Sequence, residues 1–232
     1  MTVASTNFCP KTGCILFDLD GTLLDSAIDI AEAGNQLLRS HNQPTLSLAQ
    51  FRPLTGEGAI KFIEIGFGYL PEATILTQLK QELFSNYENI KHRNSSLFAG
   101  VEPMLEEINL AGIPWGIVTN KSTRLTLPLL DIFPIFNTAK ALVCADTLSK
   151  AKPHPEPILH ACATLKRKNT VSLYIGDHER DMQAGTAAGL TTIAALYGYI
   201  ENIQQTQQWP ANYYVQTIAE LHTLLRCVIR KR

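Results

Sequence analysis

Two aspartates two positions apart, Asp18 and Asp20, directly follow a short apolar run that begins at Cys14. Such a run is typical of a buried strand, so both carboxylates are expected where that strand leaves its sheet. Carboxylates about 4 Å apart repel each other by roughly 4 kcal/mol at an effective dielectric constant of about 20, and a bound cation or a shared proton relieves the repulsion. Gly21 comes next, and glycine lets the chain turn tightly with its backbone exposed to a ligand. The stretch therefore predicts a metal-assisted phosphoryl-transfer site.

Polar residues also end three later apolar runs, at Thr119, Asp146 and Asp177. These runs alternate with helical segments, a pattern that predicts parallel βαβ units. In open sheets of this kind, ligands bind beyond the carboxyl ends of the strands. We therefore expect Thr119 and Asp177 to lie near Asp18, and we interpret Asp146 as a loop residue rather than a catalytic one.

Hydrolysis of a phosphate monoester is a reaction that suits these residue types. A carboxylate can attack phosphorus and form an aspartyl-phosphate, which divides one difficult reaction into two steps. Asp18 is the predicted nucleophile. Asp20 would protonate the leaving alkoxide and then activate the water that hydrolyses the intermediate.

Positive charge is also required, because an anion that attacks a phosphate dianion is repelled by it. Lys152, next to Pro153, would neutralise phosphoryl charge as a point cation and completes the predicted catalytic set. Thr119 and the backbone of Asn120 would form hydrogen bonds with the phosphoryl oxygens.

Mg²⁺ is the predicted cofactor, because it takes oxygen ligands in octahedral geometry and keeps several waters. The predicted metal ligands are Asp18, Asp20 and Asp177, and Asp181 would orient Asp177 or a bound water. His178 follows Asp177 directly. It is interpreted as a neighbour of the site, an exposed residue or a substrate contact, and not as a metal ligand, because Mg²⁺ prefers oxygen.

Four motifs, spread over essentially the whole chain, resemble those of haloacid dehalogenase-like (HAD) superfamily phosphatases in the same order. They are Asp18-x-Asp20-Gly21-Thr22-x-x-Asp25, the apolar strand ending at Thr119-Asn120, Lys152-Pro153, and Gly176-Asp177-x-x-x-Asp181. The resemblance implies an α/β fold, with a Rossmann-like three-layer α/β/α core, a parallel sheet and an inserted α-helical cap subdomain. It also implies dependence on Mg²⁺ and supports the nucleophile and acid/base roles given above.

Within that superfamily the chain resembles the phosphoglycolate phosphatase-like branch. Three stretches are similar to the N-acetylmuramic acid 6-phosphate phosphatases of peptidoglycan recycling: residues 113–121, 152–157 and 197–200. The resemblance therefore implies that the substrate is a small sugar phosphate or 2-phosphoglycolate.

A helical insertion is expected between the two strand-bearing parts of the chain. No strand is predicted between Asp25 and Leu97, and helical patterns fill that stretch. The predicted organisation is a core of residues 1–25 and 96–232 and a helical cap of residues 26–95.

Several residues of the predicted cap have local roles assigned from their spacing. Ser26 and Asp29 have the spacing of a capping box at the start of the first helix, and residues 55–58 are expected to break a later helix. Arg52 and the loop at 55–58 are the candidates for substrate contact, because a basic side chain could bind an anionic group and a loop could close over the site. A surface arginine and a plain helix break are equally compatible with the sequence. The same two interpretations stay open for Lys121.

The composition excludes several classes of partner. The 232 residues carry a formal net charge of −1, which provides no field for nucleic acid or an anionic membrane, and no apolar stretch approaches the roughly 20 residues that span a bilayer. The five cysteines are odd in number and lack C-x-x-C spacing, which is typical of a reduced, cytoplasmic protein. The expected partner is a small-molecule phosphomonoester, and the chain is expected to be a monomer or a homodimer.

Three other functions are compatible with parts of the pattern. A phosphosugar mutase of the same family uses the same aspartyl-phosphate and differs in cap residues that one sequence does not identify. A receiver-like phospho-aspartate switch also combines Mg²⁺, a threonine and a lysine at strand ends, but it needs neither the helical insertion nor Asp20. A metal-free dehalogenase is disfavoured, because a halide leaving group requires no proton from Asp20.

Overall fold

The computed structural model describes Cys9 and residues 11–229. The remaining residues of the predicted core, 1–8, Pro10 and 230–232, lie outside the described residues. The strands of the described part are β1 Ile15–Phe17, β2 Leu24–Asp25, β3 Ser96–Leu97, β4 Trp115–Val118, β5 Ala141–Val143, β6 Leu173–Gly176, β7 Thr191–Ala195 and β8 Tyr213–Val215. Its α-helices are α1 Ala27–Ser40, α2 Leu48–Glu57, α3 Ala59–Phe67, α4 Ala73–Ile90, α5 Val101–Leu110, α6 Thr123–Ile132, α7 Glu156–Thr164, α8 Glu179–Ala187 and α9 Ile218–Ile229.

The chain divides into two compact units. The first contains the residues up to Leu23 and those from Leu97 onward, and the second is Leu24–Ser96. The first unit carries α5 to α9 and a six-stranded sheet in the order β5-β4-β1-β6-β7-β8, in which every neighbouring pair is parallel. The second unit carries α1 to α4. The predicted fold class, a Rossmann-like α/β core with an inserted α-helical subdomain, is therefore confirmed.

The buried sheet explains why its central strands are apolar along their whole length. Strands β1, β4 and β6 are buried at every residue, because helices cover both faces of a parallel sheet of this type. Strand β1 lies between β4 and β6, with Phe17 level with Ile117 on one side and Ile175 on the other. This register brings the residues that follow the three strands to one edge of the sheet.

Two local predictions outside that sheet were wrong and one was confirmed. Ser26 makes no side-chain capping hydrogen bond at the start of α1, whereas Ser47 forms a complete capping box at the start of α2. The predicted helix break at residues 55–58 is confirmed, because α2 ends at Glu57 and Gly58, with a φ of 89°, separates it from α3. A strand, Ser96–Leu97, pairs with β2 although none was predicted there, since two residues are too few to show a period.

Asp29 has a structural role that explains the missing capping box. Its carboxylate is fully buried and accepts hydrogen bonds from the backbone N–H of Asn94 at 3.1 Å and of Ser95 at 2.7 Å. The Asn94 amide at 3.0 Å and the Ser95 hydroxyl at 2.6 Å donate to it as well. Charge-assisted bonds of this kind are roughly twice as strong as neutral ones, so Asp29 ties the end of the second unit back to α1.

Replacing this buried carboxylate is expected to destabilise the fold. Asp29→Ala should lower the free energy of unfolding by about 3 kcal/mol, because a buried network loses its acceptor. Urea denaturation followed by circular dichroism would measure the change. Asp146→Ala is the matched control: its exposed carboxylate accepts from the Thr123 N–H and hydroxyl at the start of α6, so the expected loss is about 1 kcal/mol. Equal losses in the two variants would contradict this account of Asp29.

Candidate active site

Asp18, Thr119 and Asp177 are the residues that directly follow β1, β4 and β6. The Asp18 N–H donates to the Ile175 carbonyl at 2.8 Å, and the Thr119 N–H donates to the Val143 carbonyl at 2.9 Å, so each backbone continues the ladder of the sheet. All three residues are buried. The sheet therefore places these side chains at one edge with little freedom to move.

The ammonium group of Lys152 is buried among acidic and neutral oxygens at this edge. Its Nζ lies 2.7 Å from Asp18 Oδ1 and 2.7 Å from Asp181 Oδ1. It also lies 3.0 Å from the Val118 carbonyl and 2.9 Å from the Tyr174 hydroxyl. Burial opposes the charge, but Asp18 and Asp181 outweigh that effect and raise the pKa of Lys152 above its ordinary value. Lys152 is therefore a permanent cation in this site.

Tyr174 completes the hydrogen bonding around Lys152, and sequence reasoning missed it. An ammonium has three protons. Two of them match Asp18 and Asp181, the third matches the Tyr174 oxygen, and the Tyr174 hydroxyl in turn can donate to the Val118 carbonyl at 3.0 Å. The available signal was a tyrosine inside a fully buried strand, because a buried tyrosine hydroxyl usually finds a partner.

The buried carboxylates of Asp18 and Asp177 resist ionisation. Burial raises the pKa of Asp18 to about 6, although Lys152 acts in the opposite direction. Burial, followed by the charges of Asp18 and Asp181, raises the pKa of Asp177 well above its ordinary value. Burial and close spacing thus disfavour the charged forms of these carboxylates.

The same carboxylates have the composition and spacing of a cation site. Asp18, Asp177 and Asp181 each offer one carboxylate oxygen, and these three oxygens lie within 4.8 Å of one another. The donors are all oxygen, which suits a hard divalent cation, and one lysine does not balance three ionised carboxylates. The residues present therefore fit a divalent cation.

Two glycines make room for the carboxylate of Asp177. Its Oδ2 accepts from the Tyr199 N–H at 2.8 Å, and its Oδ1 accepts from the Thr22 hydroxyl at 3.3 Å. A Cβ on Gly21 would lie 2.0 Å from Asp177 Oδ2, and one on Gly198 would lie 2.4 Å from the same atom. Gly21 is therefore needed here for close approach to a side chain as well as for a turn, since its φ is 84°.

The carboxylate of Asp20 is held by Lys121 and is not part of the cluster formed by Asp18, Asp177 and Asp181. Lys121 Nζ lies 3.0 Å from Asp20 Oδ1 and 3.1 Å from Asp20 Oδ2. The Lys121 side chain is only 6% exposed and that of Asp20 is 19% exposed. Of the two interpretations left open for Lys121, a solvent-exposed lysine is therefore excluded.

The loop residues after β4 connect the site to the Lys152 segment. The side-chain amide of Asn120 donates to the Lys152 carbonyl at 2.9 Å, and its side-chain oxygen accepts from the Lys152 N–H at 3.1 Å. The Thr119 hydroxyl oxygen accepts from the Lys121 N–H at 3.1 Å. Asn120 thus fixes the backbone from which the Lys152 side chain enters the site.

Asp181 and His178 form the start of α8. Asp181 Oδ2 accepts from the His178 N–H at 3.0 Å, while its Oδ1 contacts Lys152. The His178 ring accepts from the Arg180 N–H at 3.2 Å and stacks on Trp209 at 6.4 Å between ring centroids. His178 is thus a helix-capping residue with its own set of contacts.

Two further residues named in the sequence analysis, Arg52 and Asp146, have partners outside the carboxylate cluster of Asp18, Asp177 and Asp181. Arg52 belongs to the second unit, where its guanidinium forms an ion pair with Asp25. Asp146 accepts hydrogen bonds from Thr123 at the start of α6, in agreement with its interpretation as a loop residue.

A parallel sheet with a buried lysine and an acidic cluster at its carboxyl edge defines an enzyme site on a Rossmann-like core. A comparison with protein families matches residues 15–195 to the family described as haloacid dehalogenase-like hydrolase. The chain therefore belongs to the haloacid dehalogenase-like hydrolase family, and the resemblance of its motifs is confirmed.

Individual relatives agree with this assignment. The chain is 38% identical over 207 residues to a phosphoglycolate phosphatase of Xanthomonas campestris, an alignment that covers 89% of this chain and 93% of the relative. It is 33% identical over 211 residues to the N-acetylmuramic acid 6-phosphate phosphatase of Pseudomonas aeruginosa, covering 91% and 93%. A crystal structure from Haemophilus somnus, described as a predicted phosphoglycolate phosphatase, superposes with a TM-score of 0.83 at 25% identity and covers 96% of this chain and 100% of the other.

Gly21→Ala is expected to destabilise the protein far more than the same change at Gly112. Both glycines have positive φ, 84° and 66°, so both substitutions carry about 1–2 kcal/mol of backbone strain. Only the new methyl group at Gly21 would collide with a neighbour, Asp177, whereas nothing lies within 4 Å at Gly112. The collision should cost a further 1–3 kcal/mol or so in the free energy of unfolding, measured by urea denaturation. Similar losses at both positions would show that Gly21 is needed only for its φ.

Proposed function

We propose that the protein is an Mg²⁺-dependent phosphomonoester hydrolase that acts through an aspartyl-phosphate on a small sugar phosphate or phosphoglycolate. The observation that carries the proposal is the buried Asp18 carboxylate, held 2.7 Å from the Lys152 ammonium within a cluster of three carboxylates. Buried carboxylates this close together are costly to the fold, and such groups are typical of sites that react or bind a cation. The family and the phosphatases to which the chain is similar support the same reaction.

In the first step, an oxygen of Asp18 attacks phosphorus while the bond from phosphorus to the leaving oxygen breaks. Asp20 gives its proton to that oxygen, so the product leaves as an alcohol. In the second step, Asp20 takes a proton from water and the water oxygen attacks the phosphorus of the aspartyl-phosphate. The bond from phosphorus to the Asp18 oxygen breaks, which releases inorganic phosphate and regenerates free Asp18. Lys152 is fixed against Asp18 throughout and offsets the charge of the phosphoryl oxygens.

Asp18, Asp177 and Asp20 would hold the cation. Asp20 would contribute its main-chain carbonyl, because its carboxylate is engaged by Lys121. Asp181 would orient the site, since both of its oxygens already accept hydrogen bonds. When bound, Mg²⁺ supplies positive charge that lowers the repulsion between Asp18 and the phosphate dianion.

Residues outside this cluster would complete substrate binding. Thr119 and Asn120 would bind the phosphoryl oxygens, and the second unit would act as a cap that carries Arg52.

A reducing, cytoplasmic setting is supported by the five cysteines, all of which are free thiols. Among the described residues, no helix has the length and apolar character needed to span a bilayer.

A phosphate-release screen that includes N-acetylmuramic acid 6-phosphate and 2-phosphoglycolate tests the proposed function. Strong preference for one of the two would identify the substrate and therefore the metabolic pathway in which the protein acts. Isomerisation of a sugar phosphate without release of phosphate would instead identify a mutase, and no turnover of any monoester with Mg²⁺ would reject the proposal.

Removal of the nucleophile is expected to abolish turnover. Asp18→Asn should lower kcat by roughly 10⁴-fold or more, because the amide cannot form the covalent intermediate. Asp20→Asn should lower kcat on alkyl phosphates by about 10²–10⁴-fold. The matched control is Asp146→Asn, another aspartate in a strand-end loop, whose activity should stay within about 2-fold of the wild type. Unaltered rates in both Asp18→Asn and Asp20→Asn would exclude the mechanism.

Metal removal should affect stability as well as activity. A chelator should abolish phosphate release, and Mg²⁺ should restore it. Because the cation binds only the folded carboxylate cluster, Mg²⁺ at about 100 times its Kd should add about 2.7 kcal/mol to the free energy of unfolding. Asp177→Asn should remove most of this stabilisation, as measured by thermal denaturation with and without Mg²⁺. Full stabilisation of that variant by Mg²⁺ would place the cation elsewhere.

A further inference from the structure

Lys121 forms a partly desolvated ion pair with Asp20 that none of the steps above uses. Its Nζ contacts both carboxylate oxygens of Asp20, at 3.0 and 3.1 Å. With the Lys121 side chain 6% exposed, this pair is screened far less than a surface ion pair. The contact links residues 101 positions apart in the chain.

The backbone of Lys121 is fixed on both sides. Its N–H donates to the Thr119 hydroxyl at 3.1 Å, and its carbonyl accepts from the Ala145 N–H at 3.0 Å. Thr119 follows β4 and Ala145 lies just after β5, so two strand ends hold the lysine. The ammonium group is therefore a fixed point against which the Asp20 side chain can be positioned.

We propose that Lys121 is a positioning residue that holds the Asp20 carboxylate where it can exchange protons with the leaving group and with water. The proposal rests on the proposed function. Asp20 follows Asp18 by two positions, and the negative charge of an ionised Asp18 would repel its partly exposed carboxylate. Lys121 supplies the opposing attraction.

The pairing leaves Asp20 able to react. A carboxylate has about four lone-pair positions, and one ammonium that bridges both oxygens occupies only one position on each. Lys121 therefore does not block positions at which the carboxylate can accept a proton from water or carry the proton given to the leaving oxygen. Lys121 thus limits the orientation of Asp20 without consuming its capacity for acid/base chemistry.

Stopped-flow kinetics with 4-nitrophenyl phosphate and Mg²⁺ test this role, because a nitrophenolate leaves without needing a proton. In Lys121→Met, the first turnover per active site should stay within about 2-fold of the wild type, since Asp18 and Lys152 are intact. Steady-state turnover should then fall by about 10²-fold, because hydrolysis of the aspartyl-phosphate needs a well-placed base. KM should change little, and Lys121→Arg, which keeps the charge and can contact both oxygens, should recover most of the rate.

Two controls separate this role from a structural one. Lys150→Met changes an exposed lysine close to Lys152 in sequence and should behave as the wild type. Asp20→Asn combined with Lys121→Met should be no slower in steady state than Asp20→Asn alone, because Lys121 acts through Asp20. Lys121→Gln, which keeps a polar group, provides the same comparison if Lys121→Met yields little folded protein.

Unchanged steady-state turnover in Lys121→Met and Lys121→Gln would overturn the proposal. So would an equal loss of first turnover and steady-state turnover, which would mean that Lys121 binds the phosphoryl group or only supports the fold. Failure of the proposed function itself would look different, because the wild type and Lys150→Met would then release no phosphate from any monoester.

Discussion

Burial of like charge is the constraint on which this site depends. Asp18, Asp177 and Asp181 are withdrawn from water, and Lys152 is the cation placed among them. Each buried ion carries a desolvation cost of several kcal/mol, which only close pairing and complete hydrogen bonding offset. The Tyr174 hydroxyl and the Val118 carbonyl supply the remaining hydrogen bonds, so the arrangement is rigid before any ligand binds. A rigid set of charges can stabilise a phosphoryl group without reorganising during the reaction.

Some residues contact both a segment of the fold and a charged group of the site. Asp181 begins α8 through the His178 N–H and contacts Lys152 with its other oxygen. Asn120 lies in the loop after β4, and its side-chain amide binds the backbone N–H and carbonyl of Lys152. Because each of these residues holds an element of the fold and a charged group together, displacement of the element would also displace the charge.

The arrangement of elements was largely predictable, because buried parallel strands and amphipathic helices leave clear patterns. The predicted capping box at the start of α1 was wrong, because other contacts compete for its residues. Ser26 and Asp29 have the spacing of a capping box, but four donors from Asn94 and Ser95 bind Asp29 more strongly than a helix end does. Local spacing does not reveal which partners arrive from distant parts of the chain.

The sequence by itself determined the α/β alternation and the helical insertion. It also determined that Asp18, Thr119 and Asp177 end predicted strands and that Lys152 stands beside Pro153. Only the tertiary structure decided the partners of those residues. The contact of Lys121 with Asp20, the fit of Gly21 around Asp177 and the place of Tyr174 beside Lys152 are of this kind. The physical reason is that such contacts join segments far apart in the chain, and their geometry follows from strand order and register, which no short stretch of sequence encodes.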